Sequence, residues 1–237
     1  MSDTRANDPQ RLSNATENYL LSIYRLKESE DVVVTPSILS DHLKTLPQAE
    51  GVGTSLPSVA GMVRRMTREK LIKQGSNKEL ILTESGHALA ESIVRRHRLA
   101  ERLVVDMLGL DLASAHIEAH QLEHAISPKL EELIFKKLGN PTTCPFGHPI
   151  PRSGYVPEQN KITLDCVEAG QKLLITQVPE DDQDLLNYFV KNNFIPGSKV
   201  TVQDVSPATG VIMLKLGKHR IVFSHLVASK VCALEVV

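Results

Sequence analysis

His116, His120, Glu123 and His124 stand within the nine residues HIEAHQLEH at spacings i, i+4, i+7 and i+8. On a helix that spacing gathers the four side chains into an arc of about 100°. Upstream, in RRHRLAERL, His97 and Glu101 are again four apart. Neutral imidazole and carboxylate together suit divalent iron, manganese and their neighbours, so six such donors on two adjacent helices form a plausible first shell for metal. The alternative is a solvated face of acids and histidines. A zinc hydrolase would use the same residue types, but the chain has no HExxH and no separate glutamate placed as a general base.

The elements that must hold these residues are helical. TESGHALAESIVRRHRLAERLVVDML places Ala88, Leu89, Ile93, Val94, Leu99 and Leu103 on one face, with Thr83 at its start and Gly109 at its end. The short link LDLASA leads into HIEAHQLEHAI, which stops at Ser127–Pro128, and PKLEELIFKKLG follows. These stripes predict a helical metal-binding domain over residues 85–152, its Leu and Val stripe reading as core or as a dimerisation face. Its last part, NPTTCPFGHPIPRSGYVP, is rich in Pro and Gly and reads as a boundary. Cys144 and His148 within it are either further ligands or members of a structural turn.

Residues 1–84 read differently. After a polar tail, ENYLLSIYRLKE, TPSILSDHLKTL and SLPSVAGMVRRMTREKLIKQ carry helical periodicity. GSNKELILTESG then predicts a hairpin turning at Gly75–Asn77. Three helices and a hairpin are the order of a winged helix-turn-helix. The third helix and the residues just after it hold Arg64, Arg65, Arg68, Lys70 and Lys73 against Glu69 alone. Ser55, Pro57, Ser58 and Gly61 at its start are small enough for bases and phosphates to approach a helix N-terminus. A solvated charged face is the plainer reading of that helix, but the neighbouring elements favour DNA. Lys78, at the hairpin tip, either touches a phosphate or keeps the tip soluble.

Beyond residue 160 the pattern changes to short strands. QKLLITQV, KVTVQDV, GVIMLKL and HRIVFS, with EDDQDLLNYFVKNN as a helix after the first, predict a small SH3-like β-barrel over 160–237. The fold class is therefore mainly α with a small β domain. A net charge of -1 excludes a general polycation, so any nucleic-acid surface is local. No apolar run of about 18 residues suggests a membrane span. Three scattered cysteines offer no disulfide framework, which fits a reducing cytoplasm.

These residues resemble the diphtheria toxin repressor family of iron- and manganese-dependent transcriptional regulators almost end to end. The likeness is carried by ATENYLLSIYRL, HRLAERLVVDMLGLD, HIEAHQLEH, NPTTCPFGHPIP and VPEDDQ…IPGSKVTV. It implies a non-enzymatic homodimer that represses by binding double-stranded operator DNA when loaded with Mn(II) or Fe(II), with about two sites per chain. His97, Glu101 and His116 correspond to the ancillary site, which the family completes from its barrel, here at Asp182. Glu123 and His124 correspond to the primary site. His120 stands where the family has Cys or Glu, and Asn18 where it has Met or Asp. Cys144 matches a second-site ligand of some manganese-responsive members. The connector Thr45–Ser55 is longer than the family's tight turn. A metal-stabilised DNA-binding protein without metal switching is the remaining alternative.

Overall fold

The computed structural model describes residues 12–28, 32–45, 52–206 and 208–236. The chain divides into two compact units, Met1–Val94 and Arg95–Val237. The middle of the long connector, residues 46–51, and most of the N-terminal tail lie outside the described residues.

In the first unit, α1 (Asn14–Lys27), α2 (Pro36–Leu43) and α3 (Leu56–Arg68) each begin at a capping hydroxyl. Ser13 accepts from the Thr16 amide at 3.3 Å, Thr35 from Ile38 at 3.4 Å and Ser55 from Ser58 at 3.4 Å. Each satisfies an amide that the first helical turn would otherwise leave open. Pro36 and Pro57 fall in first turns, where no N–H is needed. α3 buries Val59, Val63 and Met66, spaced i, i+4, i+7, and so turns Arg64, Arg65 and Arg68 to solvent. The antiparallel strands β1 (Ile72–Gln74) and β2 (Leu80–Leu82) follow, with Asn77 and Lys78 in the left-handed region at their turn. Leu20, Ile23, Leu39, Val59, Met66, Leu80 and Val94 share one core.

α4 (Glu84–Arg102) opens with Thr83 Oγ1 accepting from the Gly86 amide at 3.1 Å. Gly86 is required there, since a Cβ would lie 1.9 Å from the Leu71 carbonyl. Ala88, expected on the buried face, is exposed, and Ala90 is buried instead. In its second half α4 is buried nearly all round, which is unusual for a helix carrying four arginines in eight residues. Its last turn widens at Leu103–Met107, where the Leu108 amide reaches back five residues to Leu103 at 3.3 Å, and Gly109 at φ +75 reverses the chain.

The second unit continues with α5 (Leu112–Leu122), capped by Asp111, and α6 (Pro128–Lys137), capped by Ser127. α5 ends earlier than the sequence pattern indicates. Glu123–Ala125 form a tighter 3-10 turn, so the HQLEH residues do not share one continuous α-helix. The sheet that follows holds β3 (Lys161–Thr163), β4 (Lys172–Gln177), β5 (Lys199–Ser206), β6 (Val211–Leu216), β7 (His219–Ser224) and β8 (Cys232–Glu235). Its order is β3-β8-β4-β5-β6-β7, antiparallel throughout. α7 (Gln183–Lys191) lies between β4 and β5 in sequence, and the short α8 (His225–Ala228) precedes β8. β3 and β8 were not anticipated, yet β8 is interior to the sheet. Phe189, Phe194 and Phe223 meet with ring centroids 4.9–5.4 Å apart and centre the core of this sheet. The structure is thus a helical N-terminal part with a C-terminal antiparallel sheet, and among the described residues no helix is long and apolar enough to cross a membrane.

Candidate metal centre

α4 supplies His97 and Glu101, one turn apart and both fully buried. α5 supplies His116 and His120, and the 3-10 turn supplies Glu123 and His124. The rings converge: His97 stands edge-on to His116 at 5.1 Å and to His120 at 5.4 Å. Glu101 Oε1 lies 2.9 Å from His97 Nε2 and 3.1 Å from His116 Nδ1. Glu123 Oε2 lies 2.5 Å from His97 Nδ1, while its Oε1 lies 3.3 Å from His120 Nδ1 and 3.5 Å from His124 Nε2.

Among the described residues two sets of donor atoms fall within 4.8 Å: His97, Glu101, His116 and Glu180 in one, and His97, His120 and Glu123 in the other. Glu180 was missed by sequence reasoning, which chose Asp182. Asp182 instead caps α7, accepting from the Leu185 amide at 3.0 Å, and falls in neither donor set. The physical reason is reach: Glu180 leaves the end of β4 toward the histidines and is 1% exposed, whereas Asp182 is committed to a helix N-terminus. Asn18 is buried on α1 in the first unit. Cys144 belongs to neither set, but its Sγ lies 3.7 Å from Glu180 Oε2. Burial, then the charges of Glu101 and Glu180, push its thiol well above the usual range, so it is a neutral donor to Glu180.

The electrostatics explain what the cluster requires. Burying carboxylates without compensation costs several kcal/mol each, so some cation must share the pocket. Burial lowers the His97 imidazole, but Glu101 and Glu123 on its two sides outweigh that and raise it to about 10. Burial likewise raises Glu101 and Glu123, yet the adjoining histidines hold both below the ordinary carboxylate range. Glu101 Oε2 and His116 Nε2 are buried without a hydrogen-bond partner among the described residues. Open lone pairs on an all-nitrogen-and-oxygen donor set fit a divalent cation.

The Pro-rich segment is a packed support. Arg95, Arg98 and Arg102 of α4 donate to its carbonyls at Pro151 (2.7 Å), Pro149 (2.5 Å) and Thr143 (2.7 Å). His148 is likewise structural and falls in neither donor set. Its Nδ1 accepts from Gln177 at 3.0 Å and its Nε2 donates to the Val178 carbonyl at 3.1 Å. Gly147, at φ +90, presses so close to β4 that a Cβ would lie 1.9 Å from the Thr176 carbonyl. The Val178 amide donates to Phe146 at 3.0 Å. This turn fixes the end of β4 and hence where Glu180 emerges.

In the first unit, Ser55, Pro57, Ser58, Arg64, Arg65 and Arg68 are exposed along α3, Gly61 is half-buried, and Lys78 is exposed at the hairpin turn. Ser55 and Ser58 hydroxyls share a 2.9 Å hydrogen bond, and Arg65 pairs with Glu69 at 2.8 Å. The Tyr19 hydroxyl donates to Gly53 at 2.7 Å and Ser40 to Thr54 at 2.6 Å, fixing the chain that enters α3.

Comparison with known proteins agrees with this arrangement. Residues 83–152 match the iron dependent repressor, metal binding and dimerisation domain family, and residues 162–233 match the FeoA domain family. The iron-dependent repressor IdeR of Mycobacterium tuberculosis is 36% identical over 233 residues, covering 93% of this chain and 96% of that protein. The diphtheria toxin repressor of Corynebacterium diphtheriae is 40% identical over 140 residues, 59% of this chain and 58% of that one. A solved manganese-dependent transcriptional repressor in complex with manganese gives a TM-score of 0.79 at 27% identity, covering 93% of this chain and 100% of its own. With such identity over nearly its whole length, the chain belongs to the family of metal-dependent repressors that includes IdeR and the diphtheria toxin repressor.

Proposed function

We propose that this protein is a transcriptional repressor that binds operator DNA as a homodimer when Mn(II) or Fe(II) occupies the His/Glu cluster. One observation carries the reading: the same chain holds a convergent set of buried histidines and glutamates and an exposed basic helix that opens on small residues. The relatives' names, iron-dependent repressor and manganese-dependent transcriptional repressor, support the two metals. Residues 1–84 act as a winged helix-turn-helix, 85–152 as the helical metal-binding and dimerisation domain and 160–237 as an SH3-like domain. Exposed Met107, Leu108, Leu130 and Leu133 in the middle segment offer the apolar surface for a second copy.

A divalent ion supplies a compact positive charge that carboxylates and imidazoles share in place of protons. The residues do the rest. His97, Glu101, His116 and Glu180 would hold one ion, between α4, α5 and the segment after β4. His120 and Glu123, with His124 beside them, would hold the other. Ser58, Pro57 and Gly61 face base edges, while Arg64, Arg65, Arg68 and Lys78 hold phosphates. The metal shifts DNA binding only by its differential affinity for the DNA-competent state.

Selection from a random duplex pool tests this. Full-length protein in Mn(II) should enrich one sequence with two related half-sites, and the same protein in chelator should enrich none. Equal enrichment in chelator would make the cluster structural, and no enrichment in either condition would reject sequence-specific DNA binding.

A further inference from the structure

We propose that His97 links the two metal sites: its Nε2 serves the first site, and its Nδ1–H orients Glu123, a ligand of the second. This rests on the metal-binding reading above and adds a route by which filling one site prepares the other.

The chemistry of an imidazole limits what His97 can do. A neutral ring has one lone pair and one N–H, so it cannot ligate through both nitrogens while keeping its proton. His97 nevertheless faces a carboxylate on each side, Glu101 Oε1 at 2.9 Å from Nε2 and Glu123 Oε2 at 2.5 Å from Nδ1. The two sides differ in their surroundings. Glu101 Oε1 also meets His116 Nδ1 at 3.1 Å, and Glu180 completes that donor set, so Nε2 looks into a convergent shell. On the other side Glu123 divides its oxygens. Oε2 addresses His97, while Oε1 addresses His120 at 3.3 Å and His124 at 3.5 Å. His120 and Glu123 belong to the second donor set and His124 stands 3.5 Å from Glu123, so three side chains can serve that site without a lone pair from His97.

The consistent assignment gives the lone pair to the first site and the proton to Nδ1. Glu123 Oε2 then accepts a charge-assisted hydrogen bond, the usual partner of a metal-bound histidine. That bond restricts the Glu123 side chain with Oε1 aimed at His120 and His124. The second site therefore loses less rotamer freedom on binding once the first is filled. Such coupling is reciprocal, so a filled second site strengthens the first as well.

The test compares Mn(II) binding by full-length wild type, His124→Ala and Glu123→Ala, using electron paramagnetic resonance to count free Mn(II). Both variants should lose the second ion, because each lacks one of its donors. Only Glu123→Ala should also weaken the remaining first site, by about 10- to 100-fold relative to His124→Ala, although Glu123 is not among its ligands. Equal first-site affinity in the two variants overturns the link while leaving two-site metal binding intact. Wild type that takes up no Mn(II) rejects the metalloregulator reading itself. A second measurement needs no Glu123 variant: 15N NMR of histidine-labelled His124→Ala protein with one equivalent of Zn(II). His97 should show a metal-bound Nε2 and a protonated Nδ1, and the reverse pattern contradicts the proposal.

Discussion

α3 and the second half of α4 are both rich in charge, and they are built in opposite ways. On α3, Arg64, Arg65 and Arg68 stand in solvent and their partners are few and exposed. On α4, Arg95, Arg98, His97 and Glu101 are all buried, each tied to a carbonyl, a carboxylate or a ring. Exposed ion pairs contribute roughly 0–1 kcal/mol, so α3 sacrifices little stability by keeping its cations in solvent. Buried charges are costly unless matched, so α4 keeps its neighbours fixed and leaves Glu101 Oε2 open where a cation can enter. One helix keeps its charges in solvent, and the other closes them around a buried cluster of histidines and glutamates.

The largest break in this contrast should come from Glu101→Ala. It removes the oxygen that His97 and His116 share, so the first ion should be lost and the metal-free protein destabilised by about 3 kcal/mol, read from urea midpoints. Arg64→Ala, a charge deleted from the exposed helix, should stay within about 0.5 kcal/mol of wild type. Similar losses for the two would erase the distinction between the helices.

Next in size is the response to pH. His97, raised from 6.5 to about 10, adds stability to the metal-free protein that is fully present below pH 6.5 and is lost as pH rises through about 10. Glu101 and Glu123 are lowered from 4.5, so their contribution is present above about pH 4.5 and is lost as pH falls below it. Urea midpoints in chelator should therefore peak between about pH 4.5 and 6.5 and decline on both sides. Mn(II)-loaded protein should keep its midpoint through the alkaline range, because His97 no longer needs its extra proton. A metal-free midpoint that is flat from pH 6.5 to 10 would contradict the paired histidine.

Gly147→Ala sharpens the comparison within the second unit. The new methyl would meet the Thr176 carbonyl at 1.9 Å from a backbone at φ +90, displacing the end of β4 and with it Glu180. First-site Mn(II) affinity should fall about tenfold, in the range seen when a ligand's support is removed. The second site should change less than threefold. Calorimetric titration would separate the two, and an equal loss at both sites would deny the turn its local role.

The smallest effects belong to α3. Arg68→Ala should weaken every duplex alike and lower the salt slope by about 1, the signature of one lost phosphate contact. Ser58→Ala should weaken the selected sequence more than random DNA. Equal losses on both duplexes would remove base reading from Ser58.

What could be read without coordinates follows the same division. The first unit's helices were legible because Thr35–Pro36 and Ser55–Pro57 mark starts and their apolar residues repeat at helical spacing. Six cluster residues were legible because imidazole and carboxylate at i, i+4 leave few other readings. Glu180 was not, since it adjoins Asp181 and Asp182 and only the exit angle of β4 selects among the three. The early end of α5 at Leu122 was hidden because no breaker precedes Ser127–Pro128. Arg95, Arg98 and Arg102 resemble a solvated face until the carbonyls of residues 143–151 come back to meet them. β3 and β8 are too short, at three and four residues, to announce themselves by alternation.

If the buried cluster governs the exposed helix, duplex affinity must follow metal occupancy, which fluorescence anisotropy of the selected duplex across a Mn(II) titration reads, with an Fe(II) repeat under anaerobic conditions. Wild type should bind at least 100-fold more tightly in saturating metal than in chelator, a coupling within the usual range for allosteric effectors. Glu123→Ala should stay at the chelator level while retaining its helical circular dichroism. Wild type that binds equally tightly in chelator would contradict the account.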